Sequence, residues 1–343
     1  MSNIELVRTP DTAIVVVAAS PLAVAAPVAD RAAAAHVFAD YQHRKSPQTL
    51  RRQRADLALF TAYLQEAGVP VSDLALDPAA WAGLSWGLVQ GFIAWQVQAG
   101  YAIGSINVRL ATVKAYCKLA LQAGAIPPEA YAMIKTVAGY RHAEGRHVDE
   151  ARPVTRKGAK KAEAVTITAE PAARLKRQPN TAQGCRDALM LCMLLDHGLR
   201  VGELAGLQVE HFPLRAGTFT FYRSKVDKTQ THQLTPDTWA AARAYLKQDA
   251  PATGPLLRGS RKGGELQGAM TTRAITGRVE ALGAAVGIEG LSAHDCRHYW
   301  ATTAMRAGTD IKALQDAGGW ASPAMPLRYA ESARIANQGV KLT

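Results

Sequence analysis

The segment SAHDCRH, residues 292–298, combines a helix start with a histidine and an arginine. Ser292 as N-cap, with Asp295 three residues later, has the pattern of a capping box, which predicts that a helix begins here. His294 and Arg297 then stand at i and i+3, on one face of that helix. Alone, such a pair is more often two solvated side chains, so its significance depends on the rest of the chain.

A second segment, HGLRVGEL at residues 197–204, places an arginine between two predicted helices. Gly198 marks the end of the first helix, and Arg200 comes just after it. Glu203, three residues further on, can pair with Arg200 or orient it. By itself Arg200 could equally be a surface charge.

A β-hairpin is predicted between these two segments. GTFTFYRSK at residues 217–225 and THQLTP at residues 231–236 have the Thr, Phe and Tyr content of paired strands, and the polar VDKTQ joins them. The turn contains Lys225 and Lys228, either of which could be an ordinary turn lysine. The hairpin therefore offers two candidate cations.

The last part of the chain, GGWASPAMPLRYAESARIANQGV at residues 318–340, contains two aromatic residues of interest. Trp320 and Tyr329 could both be core residues, but Tyr329 follows Arg328 in a strongly basic chain and is also suited to meet an anion. Pro326 either begins a helix or removes its first hydrogen bond, which leaves the local geometry open.

Cutting a DNA strand without hydrolysing it requires all the kinds of group found in these segments. The phosphodiester passes through a five-coordinate state with extra negative charge on its non-bridging oxygens, so preorganised cations must face them. Arginine suits this task because its charge is permanent and its donors are forked. A nucleophile is needed on one side, and an acid for the departing 5′-hydroxyl on the other. A nucleophile that stays bonded to phosphorus retains the bond energy, so no ATP is consumed.

In their order along the chain these groups resemble the pattern of the tyrosine recombinase (phage integrase) family. The elements are Arg-x-x-Glu, a hairpin lysine, His-x-x-Arg, Gly-Gly-Trp and Tyr, and they recur with the expected intervals. The resemblance extends from about residue 35 to the end, and before the last third it is only architectural. It implies a mainly α fold with Cre-like two-domain architecture. It further implies that a helical, SAM-like core-binding domain precedes an α-rich catalytic domain with a small antiparallel sheet, the DNA breaking-rejoining fold.

The resemblance implies roles for the residues that would surround the phosphate. Arg200 and Arg297 would clamp the scissile phosphate, and Glu203 would support the arginine arrangement. His294 would assist proton transfer at the nucleophile. Trp320, at a position where many relatives have a second histidine, would donate its indole N–H to the phosphate.

The resemblance also implies a nucleophile and an acid. Tyr329 would attack, leaving a 3′-phosphotyrosyl bond and a free 5′-hydroxyl, and site-specific recombination would proceed through a Holliday junction. Lys225 best fits the general acid that protonates the 5′-oxygen, with Lys228 as the alternative. A free tyrosine has a pKa of roughly 10, so nearby cations and a base are required for attack.

Composition favours an intracellular protein that binds a polyanion. Lys and Arg number 40 against 28 Asp and Glu, a net charge of +12, which most economically indicates nucleic acid. The four cysteines lie far apart without metal-ligand spacing. Residues 13–27 resemble a signal-peptide core, but acidic residues precede them and Pro21 interrupts them. Because no apolar run reaches the roughly 20 residues of a membrane helix, we expect a cytoplasmic protein.

The pattern of caps, prolines and glycines divides the chain into two domains. We predict a flexible arm over residues 1–28, a core DNA-binding domain of five helices over 29–139, a basic linker over 140–164 and the catalytic domain over 165–343. The linker loses apolar periodicity and becomes rich in Arg and Lys. It is either solvated chain or a segment that follows the phosphate backbone.

Basic side chains in both domains and in the linker are candidates for DNA contact. Phosphate contacts fix register and make binding salt-sensitive without reading sequence, and half of these side chains could simply be solvated. The candidates are Arg44, Lys45, Arg51, Arg52, Arg54, Arg109, Lys114, Lys118, Arg156, Lys157 and Lys228. The resemblance implies a homotetramer assembled on two copies of a double-stranded recombination site.

Two other functions remain open at this point. A type IB topoisomerase or telomere resolvase shares the Arg, Lys, His and Tyr chemistry but rejoins strands differently. A DNA-binding accessory protein could keep the fold without turnover, although the complete set of candidate residues argues against it. No acidic cluster suits a two-metal nuclease and no G-x-x-x-x-G-K-[ST] loop suits an ATPase. We therefore expect catalysis without metal, cofactor or ATP.

Overall fold

A computed structural model divides the chain into two compact units, Met1–Ala162 and Glu163–Thr343, each with its own hydrophobic core. The residues that the structure describes are 4–8, 14–18, 20–157, 164–248, 253–260 and 264–333. Parts of the predicted arm (1–28) and linker (140–164), and the chain after residue 333, lie outside the described residues.

The described part of the first unit consists of one antiparallel strand pair, six α-helices and a 3-10 turn. In chain order these are β1 (Ile4–Arg8), β2 (Ile14–Ala18), α1 (Pro21–His43), α2 (Pro47–Glu66), the 3-10 turn (Pro78–Trp81), α3 (Trp86–Gln98), α4 (Ile103–Gln122), α5 (Pro128–Thr136) and α6 (His142–Glu150). Prolines begin three of these helices, because proline at the first helical position removes no hydrogen bond.

Helix α1 begins earlier than the sequence predicted. The Ser20 hydroxyl accepts the N–H of Ala23 at 3.2 Å, and Pro21 takes the first helical position, so the predicted arm (1–28) is helical from Pro21 onward. Helix α1 has 23 residues and contains an 18-residue window with a mean hydropathy of 1.3, so it is long and apolar enough to cross a membrane, contrary to the expectation of no such run. Signal sequences and helices of soluble proteins pass the same test, so α1 alone does not indicate a membrane protein.

Two further predicted boundaries are wrong. One of the five helices predicted for this domain, over residues 77–100, is broken, because Gly83 adopts a φ of 77° and Ser85 caps α3 separately. Helix α6 lies inside the predicted linker. It forms because the Glu144 carboxylate accepts the N–H of Arg141 at 2.7 Å, which satisfies a group at the helix start.

Aromatic side chains fill the core of the first unit. Phe60, Trp81 and Tyr116 are each at most 1% exposed, and the Phe60 ring lies 4.9 Å from that of Phe92. The Trp81 indole donates to the carbonyl of Leu74 at 2.9 Å, so this ring is buried without an unsatisfied donor. The cluster packs α2, α3 and α4 against one another.

The described part of the second unit is also mainly helical. Its elements are α7 (Ala169–Lys176), α8 (Ala182–Leu195), α9 (Val201–Ala205), β3 (Thr218–Arg223), β4 (Lys228–Gln233), α10 (Pro236–Gln248), β5 (Arg258–Ser260), β6 (Leu266–Ala269), α11 (Thr272–Ala285), α12 (Ala293–Arg306), α13 (Ile311–Gly318) and α14 (Ala324–Ala333). Helix α8 is buried on nearly all sides, as expected for a helix at the centre of a core. The predicted fold class, mainly α with small antiparallel sheets, is confirmed.

The predicted hairpin is present as the antiparallel pair of β3 and β4. Phe219 and Phe221 point into the core, whereas Tyr222 is exposed. Strand β4 begins at Lys228, which pairs with Arg223, so the turn is shorter than the sequence suggested. The second pair, β5 with β6, was not predicted, because its glycine-rich segments lack alternating hydrophobicity.

Candidate active site

Arg200 is the N-cap residue of the short helix α9, and Glu203 holds it in place. The Glu203 carboxylate accepts the backbone N–H of Arg200 at 2.9 Å and its Nη1 at 2.7 Å. The preceding Gly198 has a φ of 60°, and a Cβ there would lie 2.2 Å from the ring of Trp300. Glycine thus lets the turn between α8 and α9 pass close to Trp300, and this turn sets the position of Arg200.

Arg297 is buried on α12 between aromatic rings, with 3% of its surface exposed. Its guanidinium carbon lies 4.4 Å from the ring centroid of Trp320 and 5.7 Å from that of Trp300. Its Nη1 donates to the carbonyl of Gly198 and its Nη2 to that of Gly318, the latter at 2.5 Å. Burial, reinforced by two neighbouring arginines, lowers the pKa of Arg297 to about 9, so the group is still a cation at neutral pH.

Helix α13 ends in a tight glycine turn that leads into Trp320. Gly319 is left-handed, with a φ of 59°, and the N–H groups of Gly319 and Trp320 bond to the carbonyls of Asp316 and Gln315 at 3.0 and 3.1 Å. A Cβ on Gly318 would lie 1.9 Å from the Trp320 ring. The two glycines therefore close the helix and make room for the indole.

The next three carbonyls at the end of α13 each accept a hydrogen bond from a different arginine. The pairs are Ala317 with Arg223 at 2.6 Å, Gly318 with Arg297 at 2.5 Å and Gly319 with Arg200 at 3.2 Å. The carboxyl end of a helix carries partial negative charge, so it stabilises cations placed against it. Three guanidinium groups thus converge on one helix end.

Tyr329 lies on α14 beside this cluster and is 4% exposed. Its ring centroid is 5.8 Å from that of Trp320 and 5.2 Å from that of His298. Burial raises the pKa of Tyr329, while the charges of Arg297 and Arg200 act in the opposite direction. Both arginines are therefore close enough to favour the phenolate, and all these groups belong to one chain.

Pro326 does not disrupt the helix that carries the tyrosine. Helix α14 begins at Ala324, and its first hydrogen bond runs from the N–H of Leu327 to the carbonyl of Pro323 at 2.9 Å. Pro326 occupies the third helical position, where an N–H would have no partner within the helix. The geometry that the sequence left open is thereby settled.

His294 and His298 form a pair at the start of α12. Their Nε2 atoms are 3.0 Å apart, which requires that one carries a proton and the other accepts it. His294 is exposed, and the ring of His298 contacts both His294 and Tyr329. His298 was not predicted from the sequence, although its i+4 spacing from His294 was an available signal.

The side chains of the two hairpin lysines form no bond to the described arginines or to Tyr329. Lys225 lies in the turn between β3 and β4, Lys228 begins β4, and both are exposed. Within the described chain neither side chain forms a hydrogen bond or an ion pair. Asp227, with a φ of 47°, accepts the Tyr222 hydroxyl at 2.7 Å and helps to hold the turn.

Arg223 is a second residue that was not predicted from the sequence. It ends β3 with a fully buried side chain, and its Nη1 donates to both carboxylate oxygens of Glu203, at 3.0 and 2.9 Å. The available signal was strand alternation, because Phe219, Phe221 and Arg223 share one face of β3. A charged residue in phase with two core phenylalanines indicates a buried charge.

The candidate DNA-contacting residues of the first unit differ in exposure. Half-buried positions are taken by Arg109 and Lys114. Exposed positions are taken by Arg44, Lys45, Arg51, Arg52, Arg54, Lys118, Arg156 and Lys157.

Some of these side chains serve the unit itself. The Lys114 ammonium donates to the carbonyls of Lys135 and Val137 at 2.7 and 2.6 Å, where it caps the end of α5. Arg52 forms an ion pair with Asp56 at 2.5 Å. For these two residues an internal role is therefore visible in the structure.

The described part of the predicted linker continues on the surface of the first unit. The N–H of Lys157 donates to the carbonyl of Gly100 at 2.7 Å. The Lys157 ammonium and the Arg109 guanidinium lie 5.1 and 4.4 Å from the ring centroid of Tyr101. Up to residue 157 this segment is therefore attached rather than freely solvated chain.

Residues 165–334 match the model of the phage integrase family. The tyrosine recombinase XerD of Shewanella oneidensis is 25% identical over 283 residues, which is 79% of this chain and 81% of that protein. The tyrosine recombinase XerC of Rhodospirillum centenum is 26% identical over 299 residues, 85% of this chain and 80% of that protein.

Two solved structures share the fold at low identity. The Tn1549 transposon integrase in complex with transposon right end DNA has a TM-score of 0.60 and 15% identity, covering 86% of this chain and 94% of that one. A lambda integrase dimer bound to a COC′ core site has a TM-score of 0.57 and 14% identity, covering 84% of this chain and 94% of that one.

Proposed function

Because the chain belongs to the phage integrase family and is a tyrosine site-specific recombinase, we propose that Tyr329 is its nucleophile and cuts DNA through a 3′-phosphotyrosyl intermediate. The observation that carries this proposal is the convergence of Arg200, Arg297 and Tyr329 around Trp320 and the end of α13. Two cations beside a buried phenol are what an attack on a phosphodiester requires.

Arg200 and Arg297 are suited to hold the two non-bridging oxygens of the scissile phosphate. Each guanidinium has five N–H donors. Among the described groups, Arg297 uses two on the carbonyls of Gly198 and Gly318, and Arg200 uses two on Glu203 and the end of α13. Donors thus remain on both residues for phosphate. Trp320 supports this role, since its indole N–H donates to none of the groups that the structure describes.

The proposed cleavage step moves one proton off Tyr329 and another onto the leaving oxygen. The phenolic proton leaves toward His298, which contacts the Tyr329 ring and shares a hydrogen bond with His294. The phenolic oxygen bonds to phosphorus as the bond from phosphorus to the 5′-oxygen breaks. Lys225 gives its proton to that oxygen, producing a free 5′-hydroxyl, with Lys228 as the alternative acid. Rejoining reverses these steps with the 5′-hydroxyl of the partner strand, so the bond energy is retained and no ATP is consumed.

Strand exchange between two duplexes requires several copies of this site. We infer a homotetramer on two copies of a specific double-stranded site, with a Holliday junction between the two rounds of exchange. The basic residues exposed on the first unit support binding to the phosphate backbone by that unit. The similar recombinases are bacterial, and bacterial DNA lies in the cytoplasm, so we infer that the enzyme acts in that compartment.

Covalent capture in the host tests the proposal. Protein expressed in its host is denatured with SDS, and DNA that stays attached is recovered, sequenced and rebuilt as a nicked duplex. The purified chain should then form an SDS-resistant adduct that exposes a 5′-hydroxyl. Tyr329→Phe should abolish the adduct, whereas the matched control Tyr299→Phe, on neighbouring helix α12, should retain it.

Three results would contradict parts of this proposal. An adduct that survives Tyr329→Phe would remove the nucleophile assignment. Binding without any adduct would favour the accessory role, and relaxation of supercoiled DNA without strand exchange would favour a topoisomerase.

A further inference from the structure

Arg223 joins several segments of the second unit from a fully buried position. Its guanidinium carbon lies 4.6 Å from the ring centroid of Phe221. Its Nη1 donates to Glu203, its Nε to the side-chain oxygen of Gln230, and its Nη2 to the carbonyl of Ala317. These partners belong to α9, β4 and α13, so one side chain ties the hairpin to two helices of the candidate site.

The surroundings of Arg223 are shaped for a cation. Burial lowers the pKa of Arg223, and the Glu203 carboxylate opposes this effect. A Cβ on Gly319 would lie 2.4 Å from the Cδ of Arg223, so glycine at this position makes room for the arginine stem. A buried, unpaired guanidinium would be strongly unfavourable, so Arg223 depends on its ion pair with Glu203.

Lys225 stands two residues after Arg223, and no bond to another described residue positions it. It is exposed, and it forms no hydrogen bond or ion pair with any residue in the described ranges. The bond from Tyr222 to Asp227 lies within the hairpin and does not connect the hairpin to the rest of the unit. Where Lys225 lies relative to the arginine cluster therefore depends on how the end of β3 is anchored.

We propose that Arg223 is a positioning residue for the general acid: its bonds to Glu203, Gln230 and Ala317 fix the hairpin so that Lys225 reaches the 5′-oxygen. Arg223 itself touches none of the reacting atoms. This inference rests on the proposed function, in which Lys225 donates its proton as the bond from phosphorus to the 5′-oxygen breaks.

A substrate with sulfur in place of the bridging 5′-oxygen tests the inference. A thiol is far more acidic than an alcohol, so the sulfur leaves without protonation by the enzyme. Arg223→Lys keeps the charge, but its donors sit on a single nitrogen and cannot reproduce the planar fork that bonds Glu203, Gln230 and Ala317. On the ordinary nicked duplex we expect Arg223→Lys to form adduct about 100-fold more slowly than the unaltered enzyme. On the sulfur duplex, the rate of adduct formation by Arg223→Lys should lie within about threefold of the rate of the unaltered enzyme.

Three other variants complete the comparison. Lys225→Ala should recover on the sulfur duplex in the same way. Arg297→Ala should stay slow on both duplexes, because it acts on the non-bridging oxygens. Gln230→Ala removes one bond of Arg223 without leaving its charge unpaired and should show a weaker form of the same recovery. If the urea midpoint shows that Arg223→Lys is unfolded, the recovery of Gln230→Ala on the sulfur duplex tests the positioning role instead.

The outcomes separate this inference from the proposed function. Recovery of Lys225→Ala without recovery of Arg223→Lys or Gln230→Ala would overturn the positioning role. Failure of Lys225→Ala to recover would overturn it as well, because the acid would then be a different group. If the unaltered enzyme forms no adduct on either duplex, the proposed function fails first and the inference with it.

Discussion

Replacing Gly318 with alanine is expected to disable cleavage by displacing Trp320. Gly318 does not have a positive φ, so alanine fits its backbone without strain. The added Cβ would lie 1.9 Å from one ring carbon of Trp320 and 2.2 Å from the next, whereas carbon atoms pack at about 3.5–4.0 Å. The indole must therefore move by roughly 1.5–2 Å, and it already lies against Arg297 at 4.4 Å.

The size of the effect follows from this overlap. Overpacking of a filled core costs about 1–3 kcal/mol, and about 2 kcal/mol lowers the melting temperature of a unit of this size by roughly 4–8 °C. If the Trp320 indole donates to the phosphate, moving it should slow adduct formation by about 10²–10³-fold, as for the loss of one oxyanion-hole donor. Differential scanning calorimetry and single-turnover adduct formation measure the two effects.

Gly277→Ala is the matched control, because its position inside α11 has nothing within 4 Å of a new Cβ. It should gain about 0.5–1 kcal/mol of stability and cleave normally. Adding Trp320→His to Gly318→Ala replaces the indole with a smaller ring, so the stability loss of the double variant should be less than the sum of the single losses. The reasoning is wrong if Gly318→Ala melts and cleaves like the unaltered chain, or if the two changes are additive.

Three further predictions concern charge. Glu203→Ala leaves a buried arginine unpaired and should cost about 3–5 kcal/mol in urea denaturation, so an unchanged midpoint would contradict the network. Burial lowers the pKa of His197 to about 3. The stability that depends on neutral His197 is therefore fully present above the unfolded pKa of about 6.5, and it is lost as the pH falls from there toward the folded pKa. The loss should reach about 2 kcal/mol at pH 5, and His197→Phe should flatten that slope. Lys118→Ala should reduce the salt slope of DNA binding by about 1 without loss of stability. Lys114→Ala should instead lower the stability by about 1 kcal/mol in urea denaturation. Equal salt slopes for the two variants would contradict the assignment of Lys118 to DNA and of Lys114 to the unit itself.

The fold was predictable wherever one side chain decides a helix end. Ser292 caps α12 at the expected place. The early start of α1 was missed because Pro21 was taken as an interruption, although proline is equally suited to the first helical position. Strands β5 and β6 carry no alternating pattern, so their pairing depends on the surrounding unit rather than on their own sequence.

The candidate site was predictable in its side chains but not in their supports. The order and spacing of Arg200, Arg297 and Tyr329 indicated a shared site, and the structure brings them together. Arg223 was missed because a strand arginine is usually solvent-facing, and only its phase with Phe221 indicates otherwise. Main-chain acceptors cannot be predicted in this way, since every residue type has the same carbonyl.

The end of α13 has a consequence for anyone who wishes to rebuild this pocket in another protein. Side chains can be grafted by mutation, but the three oxygens that receive Arg223, Arg297 and Arg200 belong to the peptide backbone and come only with the helix terminus itself. A host lacking such a terminus would leave the like-charged groups to repel one another while no DNA is present. The smallest transferable module is therefore a helix end with its glycine turn, together with the three arginines.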